Sequence, residues 1–295
     1  MLVVRPRPRY LGAVLLATAS VLAGCSDNGT RGAAPATTRP TTSTAQATSS
    51  ATPATSPPIA TSAPPSSPAG PTGSPATCRI PTDLRGQDLE RIPTSRKVVA
   101  LTFDAGANAD GVPSILQMLA AKDVPGTFFL TGRFVEDFPT ESGRIGARYV
   151  VGNHTMTHLD LTTLSDSRVR AEIAEAERAI RIGIGQDPRR YFRFPFGARD
   201  ERTLRIVNSR CYVAFRWTVD TLGWRGTSGG MSVAKVVDRV LDAATAGEIV
   251  LMHVGSHPDD HSTLDADALP QIIDGLRARG YRFVTLTEVL GSAPD

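Results

Sequence analysis

Val98-Val-Ala-Leu-Thr-Phe103, a helical pattern near Val112–Lys122 and Thr127-Phe-Phe-Leu130 read together as one strand–helix–strand unit. The two flanking runs are short, apolar and rich in β-branched and aromatic side chains, as in strands covered on both faces. The segment between them has helical spacing, and a connection of that length joins parallel strands. Working outward, a helical stretch near Pro139–Arg148 leads to a strand at Tyr149–Gly152. Ser165–Ile182 is the longest helix candidate, with Ser165 as its cap and Gly183 near its end. Then come a strand at Tyr191–Phe194, a helix at Asp200–Ser209 and a strand at Tyr212–Val219. A helix at Ser232–Ala246, a strand at Glu248–His253, a helix near Leu264–Arg279 and a strand at Arg282–Leu286 finish the pattern. This alternation predicts a parallel α/β architecture, barrel or doubly wound sheet. It occupies one domain, residues 78–295, with a core at about 97–290.

The chain ahead of that domain has a different character. Arg5, Arg7 and Arg9 precede an apolar run, Leu11–Ala23, which is too short and too rich in small residues to read as a membrane span. Leu22-Ala23-Gly24-Cys25 ends it and resembles the lipobox of bacterial lipoproteins. Residues 1–24 are therefore read as a lipoprotein signal peptide, with Cys25 the lipidated first residue of an exported protein. Without lipidation the same leader implies secretion. Residues 25–77 are dominated by Pro, Thr, Ser and Ala, with Ile59 the single large apolar side chain. Such a stretch buries too little surface to offset the entropy of ordering it, so it reads as a disordered tether. At roughly 3.1 Å per residue it reaches up to ~160 Å. Cys78 and Cys211 remain; outside the cell they could form a disulfide or stay as two thiols.

The formal charge of +3 comes from 32 basic and 29 acidic residues. The three leader arginines account for the whole excess, and residues 78–295 carry about −1. A near-neutral domain without a basic block excludes nucleic acid as the expected partner. The membrane enters only through the lipid anchor, and a monomer is expected.

Residues suited to chemistry fall at the carboxyl ends of the strands, where α/β barrels gather their active sites. Asp104 follows the first strand and His154 and His158 follow the third. Arg193 lies at the end of the fourth, Asp220 follows the fifth, and His253 closes the sixth. Singly, Asp104 before Ala-Gly is a turn residue, Arg193 an ordinary ion pair and Trp224 plain packing. Together they form a constellation. His257 and His261, with Asp259 and Asp260 between them, mimic a second cluster but read as a solvated loop.

Five motifs in order resemble those of the NodB-type polysaccharide deacetylases, carbohydrate esterase family 4. They are Thr102-Phe103-Asp104-Ala105-Gly106, Gly152-Asn153-His154-Thr155-Met156-Thr157-His158, Arg193-Phe194-Pro195-Phe196-Gly197, Asp220-Thr-Leu-Gly-Trp224 and Leu251-Met252-His253. The resemblance runs from about Val98 to Leu290 and implies a distorted (β/α)7-type barrel. It also implies metal-dependent removal of N- or O-acetyl groups from polysaccharide. Hydrolysing an acetamide needs a nucleophilic water, oxyanion stabilisation and a proton for the departing amine. Histidines four apart can face one side of a helical turn and share a divalent metal, most often zinc, which lowers the pKa of bound water. By resemblance Asp104 is the general base and His253 the general acid. Arg193 would hold Asp104 ionised, and Asp220 would favour protonated His253. The Phe196 N–H would serve as oxyanion donor, and Trp224 and Leu251 would wall the pocket around the acetyl methyl.

Two positions depart from the family pattern. Ala105 stands where a second Asp usually completes an Asp-His-His metal site, and a methyl cannot coordinate a metal. Asn108 or Asp110, downstream in the same loop, are the candidates for a third ligand. Gly223 replaces the second Asp of the usual Asp-x-x-Asp-Trp. The expected partner is a polysaccharide, peptidoglycan foremost, with chitin, acetylxylan or a secreted glycan as other substrates. A catalytically silent carbohydrate-binding domain is the competing reading, carried by Ala105.

Overall fold

The computed structural model describes residues 80–290. The leader, Cys25, the tether and Cys78 lie outside the described residues. Cys211 is disulfide-bonded.

In chain order the strands and helices are β1 (Asp88–Leu89), β2 (Val98–Ala105), α1 (Val112–Ala121), β3 (Thr127–Leu130), α2 (Gly132–Asp137) and α3 (Pro139–Gly146). Next come β4 (Val150–Asn153), α4 (Asp166–Ile184), β5 (Arg190–Phe192), α5 (Glu201–Ser209), β6 (Tyr212–Phe215) and β7 (Val219–Asp220). α6 (Val233–Ala243), β8 (Glu248–His253), α7 (Leu264–Ala278), β9 (Arg282–Phe283) and α8 (Thr287–Leu290) complete the series. The sheet order is β1-β6-β5-β4-β3-β2-β8-β7, with β9 also paired to β2. Every one of these pairings is parallel. β6 and β7 lie towards opposite ends of that order, yet only Arg216–Thr218 separates them along the chain. Arg216 N–H donates to Leu89 O, Thr218 N–H donates to Ile249 O, and Arg91 bridges Glu248 antiparallel. These links close the seam, so the barrel forms and the open doubly wound sheet does not.

β2 shows why. All eight of its residues are buried. Val99, Leu101, Phe103 and Ala105 join the apolar layer shared with the helices, while Ala100 packs with Phe129, Phe215 and Ile249 in a second cluster. This period-two alternation places Asp104 on the inward face and Ala105 on the outward one. Inside, Gly152 is required: a Cβ there would sit 2.7 Å from the Phe129 ring and 2.9 Å from Tyr191 Cβ.

Several expected boundaries move. The Tyr212–Val219 strand breaks into β6 and β7, because the chain must cross the seam at Arg216–Thr218. α2 precedes the helix expected near Pro139, capped by Thr131, whose side chain accepts from Phe134 N–H; six residues are too few to register as a periodic pattern. α4 begins at its Ser165 cap but ends at Gly185, at φ 78°, and not near Gly183. β1 lies ahead of the expected core start at residue 97, since two residues give no sequence signal. The 257–261 segment is braced, not simply solvated: Asp260 accepts from Ser228 N–H at 2.6 Å and Ser262 N–H at 2.9 Å, while Asp259 and His261 are exposed.

Candidate active site

Asp104 stands at the carboxyl end of β2, in register with Phe129 on one neighbour and His253 on the other. Arg193 follows β5 and is completely buried. Its Nη1 donates to Asp104 Oδ1 at 2.7 Å, Nε to Phe215 O at 3.1 Å and Nη2 to Arg216 O at 2.9 Å. The guanidinium lies 4.2 Å above the Phe129 ring centroid. Its direction is thereby fixed by backbone carbonyls, as a buried cation requires. Burial pushes the Asp104 carboxyl upward, but the charges of Arg193, then His154 and His253, outweigh it and hold the group below the usual carboxylate range.

His154 and His158 follow β4, and their rings meet at 4.8 Å. A helical turn is not what joins them. Thr155 and His158 both have left-handed backbone, φ 69° and 60°, and hydrogen bonds hold the turn. Asn153 Oδ1 accepts from Thr155 N–H, Thr155 Oγ1 from His158 N–H, and Glu172 from both Thr157 N–H and its hydroxyl. His154 Nδ1 is 2.8 Å from Arg193 O. Since a carbonyl only accepts, Nδ1 carries the proton, and Nε2 turns its lone pair towards Asp104 Oδ2 at 3.4 Å. Burial lowers the His154 pKa against the pull of Asp104, and burial, with His154 beside it, lowers that of His158 to about 4. Both rings are neutral at pH 7.

His253 ends β8. The expected partner, Asp220, is directed elsewhere: its Oδ1 accepts from Leu222 N–H at 2.8 Å and its Oδ2 from Trp224 Nε1 at 3.4 Å. The carboxylate beside His253 belongs to Asp265 of α7, whose Oδ2 accepts from His253 N–H at 2.7 Å and lies 3.6 Å from Nδ1. Burial lowers the His253 pKa, but Asp265, followed by Asp104 and Asp220, raises it above the ordinary histidine value.

Asp104, His154, His158, Asp220 and His253 line a cavity of about 530 Å³ together with Phe196, Trp224 and Leu251. Of the residues expected at the site, Arg193, Asn108 and Asp110 do not line it. Phe196, at φ 59°, projects its ring 68% exposed and edge-on to His158 at 4.6 Å. Trp224 stands opposite, half exposed, 6.5 Å from the His253 ring. The chain motifs did not single out Asp265, Glu172 or Trp217. Glu172 carried a signal, a charge on the apolar stripe Val169–Ile173–Ala176–Ile180 of α4. Asp265 carried none, because acids are ordinary in the first turn of any helix.

The metal implied by the family resemblance finds two imidazole nitrogens here and no third ligand of the expected kind. Ala105 is buried in the outward apolar layer. Asn108 Oδ1 accepts from Ser256 N–H at 2.8 Å and its Nδ2 donates to Ser256 O at 3.0 Å. Asp110 Oδ2 accepts from the Ser256 hydroxyl at 2.5 Å. Both are engaged with Ser256, and among the described residues no group of three or more His, Cys, Asp or Glu is arranged to hold a metal. The donors present therefore do not make up the three protein ligands usual at catalytic zinc.

Comparison with known proteins agrees with the fold. The Polysaccharide deacetylase family model matches residues 91–214. A peptidoglycan-N-acetylglucosamine deacetylase of Bacillus cereus is 33% identical over 204 residues, covering 69% of this chain and 72% of that protein. A chitooligosaccharide deacetylase of Sinorhizobium fredii is 34% identical over 199 residues, covering 65% and 91%. Among solved structures, a family 4 carbohydrate-esterase pseudoenzyme from Bacillus anthracis superposes with a TM-score of 0.64 at 30% identity, covering 71% of this chain and 70% of that one. Since both curated relatives are more than 30% identical and are each matched over more than two thirds of their own length, the chain belongs to the polysaccharide deacetylase family.

Proposed function

We propose that this protein removes acetyl groups from an N-acetylated cell-wall polysaccharide, peptidoglycan foremost, with Asp104 as general base and His253 as general acid. One observation carries the reading: the two groups stand in register on adjacent strands, face one cavity, and each lies against a buried counter-charge. Asp104, held ionised by Arg193, takes a proton from the water that attacks the acetamide carbon. The Phe196 N–H is the donor for the oxyanion. The C–N bond breaks as His253 passes its proton to the leaving amine, and acetate departs from between Trp224 and Leu251. The names of the two curated relatives support an N-acetylated glycan as substrate. The lipobox-like Cys25 and the long tether support action within the wall from a membrane anchor.

The test is acetate release from peptidoglycan, chitooligosaccharides and acetylxylan, with and without added zinc. Asp104→Asn is expected to reduce kcat by about 10²–10⁴-fold on the active substrate; full activity in that variant would remove the mechanism. A second reading, a catalytically silent glycan binder, draws on Ala105 and on the likeness to a pseudoenzyme. Stoichiometric glycan binding with no acetate released would establish it.

A further inference from the structure

Two buried polar atoms beside the cavity have no hydrogen-bond partner among the described residues: His253 Nδ1 and Asp265 Oδ1. The groups they belong to are already joined, since Asp265 Oδ2 accepts from His253 N–H at 2.7 Å and lies 3.6 Å from Nδ1. Asp265 is only 3% exposed, and its neighbours Leu264 and Ala266 are packed in the main apolar cluster, so the first turn of α7 holds it in place. Its other face abuts Gly223. A Cβ at that position would lie 2.6 Å from Asp265 Cγ and closer still to Oδ1. Any side chain at residue 223 would thus compete for the space the carboxyl group fills. Asp220, the other acid near His253, is occupied by Leu222 N–H and the Trp224 indole.

We propose that Asp265 is the positioning residue for His253, its carboxylate setting the ring's orientation through Nδ1, and that Gly223 is the vacancy that lets α7 deliver it. This rests on the deacetylase reading above. The 3.6 Å separation is longer than a hydrogen bond, and a small rotation of either side chain closes it; catalytic hydrogen bonds of this kind commonly tighten only when substrate is bound. With Nδ1–H turned to Asp265, Nε2 faces the cavity, where the amine leaves. Burial alone would drive the imidazole neutral, and Asp265 is the principal opposing influence. A carboxylate at residue 223 of the β7–α6 loop, as in the usual Asp-x-x-Asp-Trp pattern, would claim the space that Asp265 fills.

The experiment moves the carboxylate back. Asp265→Asn, Asp265→Ala, Gly223→Asp and the double variant Gly223→Asp/Asp265→Ala are made in the full chain, and kcat and KM for acetate release from a chitooligosaccharide are measured with the melting temperature of each. Asp265→Asn keeps an oxygen for His253 N–H but loses the charge, and kcat should fall on the order of 10²-fold with KM little changed. The double variant should recover most of the loss seen in Asp265→Ala. Gly223→Asp alone should be poorer than the double variant, because two carboxyl groups then claim one space. The ¹⁵N shift of His253 Nδ1, which reads the donated hydrogen bond without any turnover, should move in Asp265→Ala and return in the double variant. Wild-type kcat in Asp265→Asn, or a folded double variant no better than Asp265→Ala, overturns the proposal. If the wild-type protein releases no acetate, the deacetylase reading fails, and the nitrogen shifts still decide whether Asp265 positions His253. Should Asp265→Ala not fold, Asp265→Asn and its nitrogen shift carry the decision.

Discussion

Asp104 is subject to two large opposing effects, burial and the Arg193 charge, and the balance between them sets how the site should respond to pH. As a base it works only when ionised, so activity should rise as pH climbs through its depressed pKa and be fully developed once pH passes the ordinary carboxylate range. As an acid His253 works only when protonated, so activity should decline as pH climbs through its raised pKa, above that of an ordinary histidine. Arg193→Ala removes the main influence holding Asp104 down and leaves burial unopposed. The acidic limb of kcat/KM should then move up by about 1 pH unit or more, and a pH–rate profile with an unmoved limb would contradict the assignment. At this scale the sequence was informative where chemistry depends on residue type. Asp104, His154, His158 and His253 could be named from their places after apolar runs. Asp265 could not, because its role comes from its distance to His253 and from the missing side chain at Gly223, neither of which leaves a local mark.

α4 shows how an element far from the reacting atoms holds the site. Glu172 is fully buried and accepts from Thr157 N–H, the Thr157 hydroxyl and Arg168, thereby fixing the turn between the two histidines. Glu172→Ala should cost about 1–3 kcal/mol in chemical denaturation and should also reduce acetate release, since the turn loses its brace. α5 offers the control. Its Asp200–Thr203 capping box is complete, and neither residue lines the cavity; Asp200→Ala should cost about 1 kcal/mol and leave kcat unchanged at a temperature well below melting. If both variants lose activity in proportion to stability, the specific role of α4 is wrong. The Ser165 start of α4 was legible because a capping hydroxyl is a local device. Its end at Gly185 was not, since Gly183 is equally plausible until the packing of Val135 against it inside the helix is known.

At the scale of the whole molecule, the seam where the barrel closes places Glu248 at the start of β8, with no exposure and neither carboxyl oxygen hydrogen-bonded to a side chain among the described residues. Burial raises its pKa to about 7, against the weaker pull of the Thr245 backbone and then of Arg279 and Arg91. Below the ordinary carboxylate range the group is protonated in both folded and unfolded chains. As pH rises the unfolded chain ionises first, so stability should fall until about pH 7 and then level off. Glu248→Gln should therefore gain about 2–3 kcal/mol over wild type between pH 5 and pH 8, and parallel stability curves for the two proteins would refute this. Sequence alone settled the parallel α/β class, the strand ends that carry chemistry and the family, because alternating apolar periodicity and residue type act over a few neighbours. Tertiary structure decided the closure of the sheet, the break between β6 and β7, the diversion of Asn108 and Asp110 to Ser256, and the pairing of Asp265 with His253. Each of those depends on which distant segments share a space, and a contact across a barrel is set by three-dimensional packing that no local run of residues encodes.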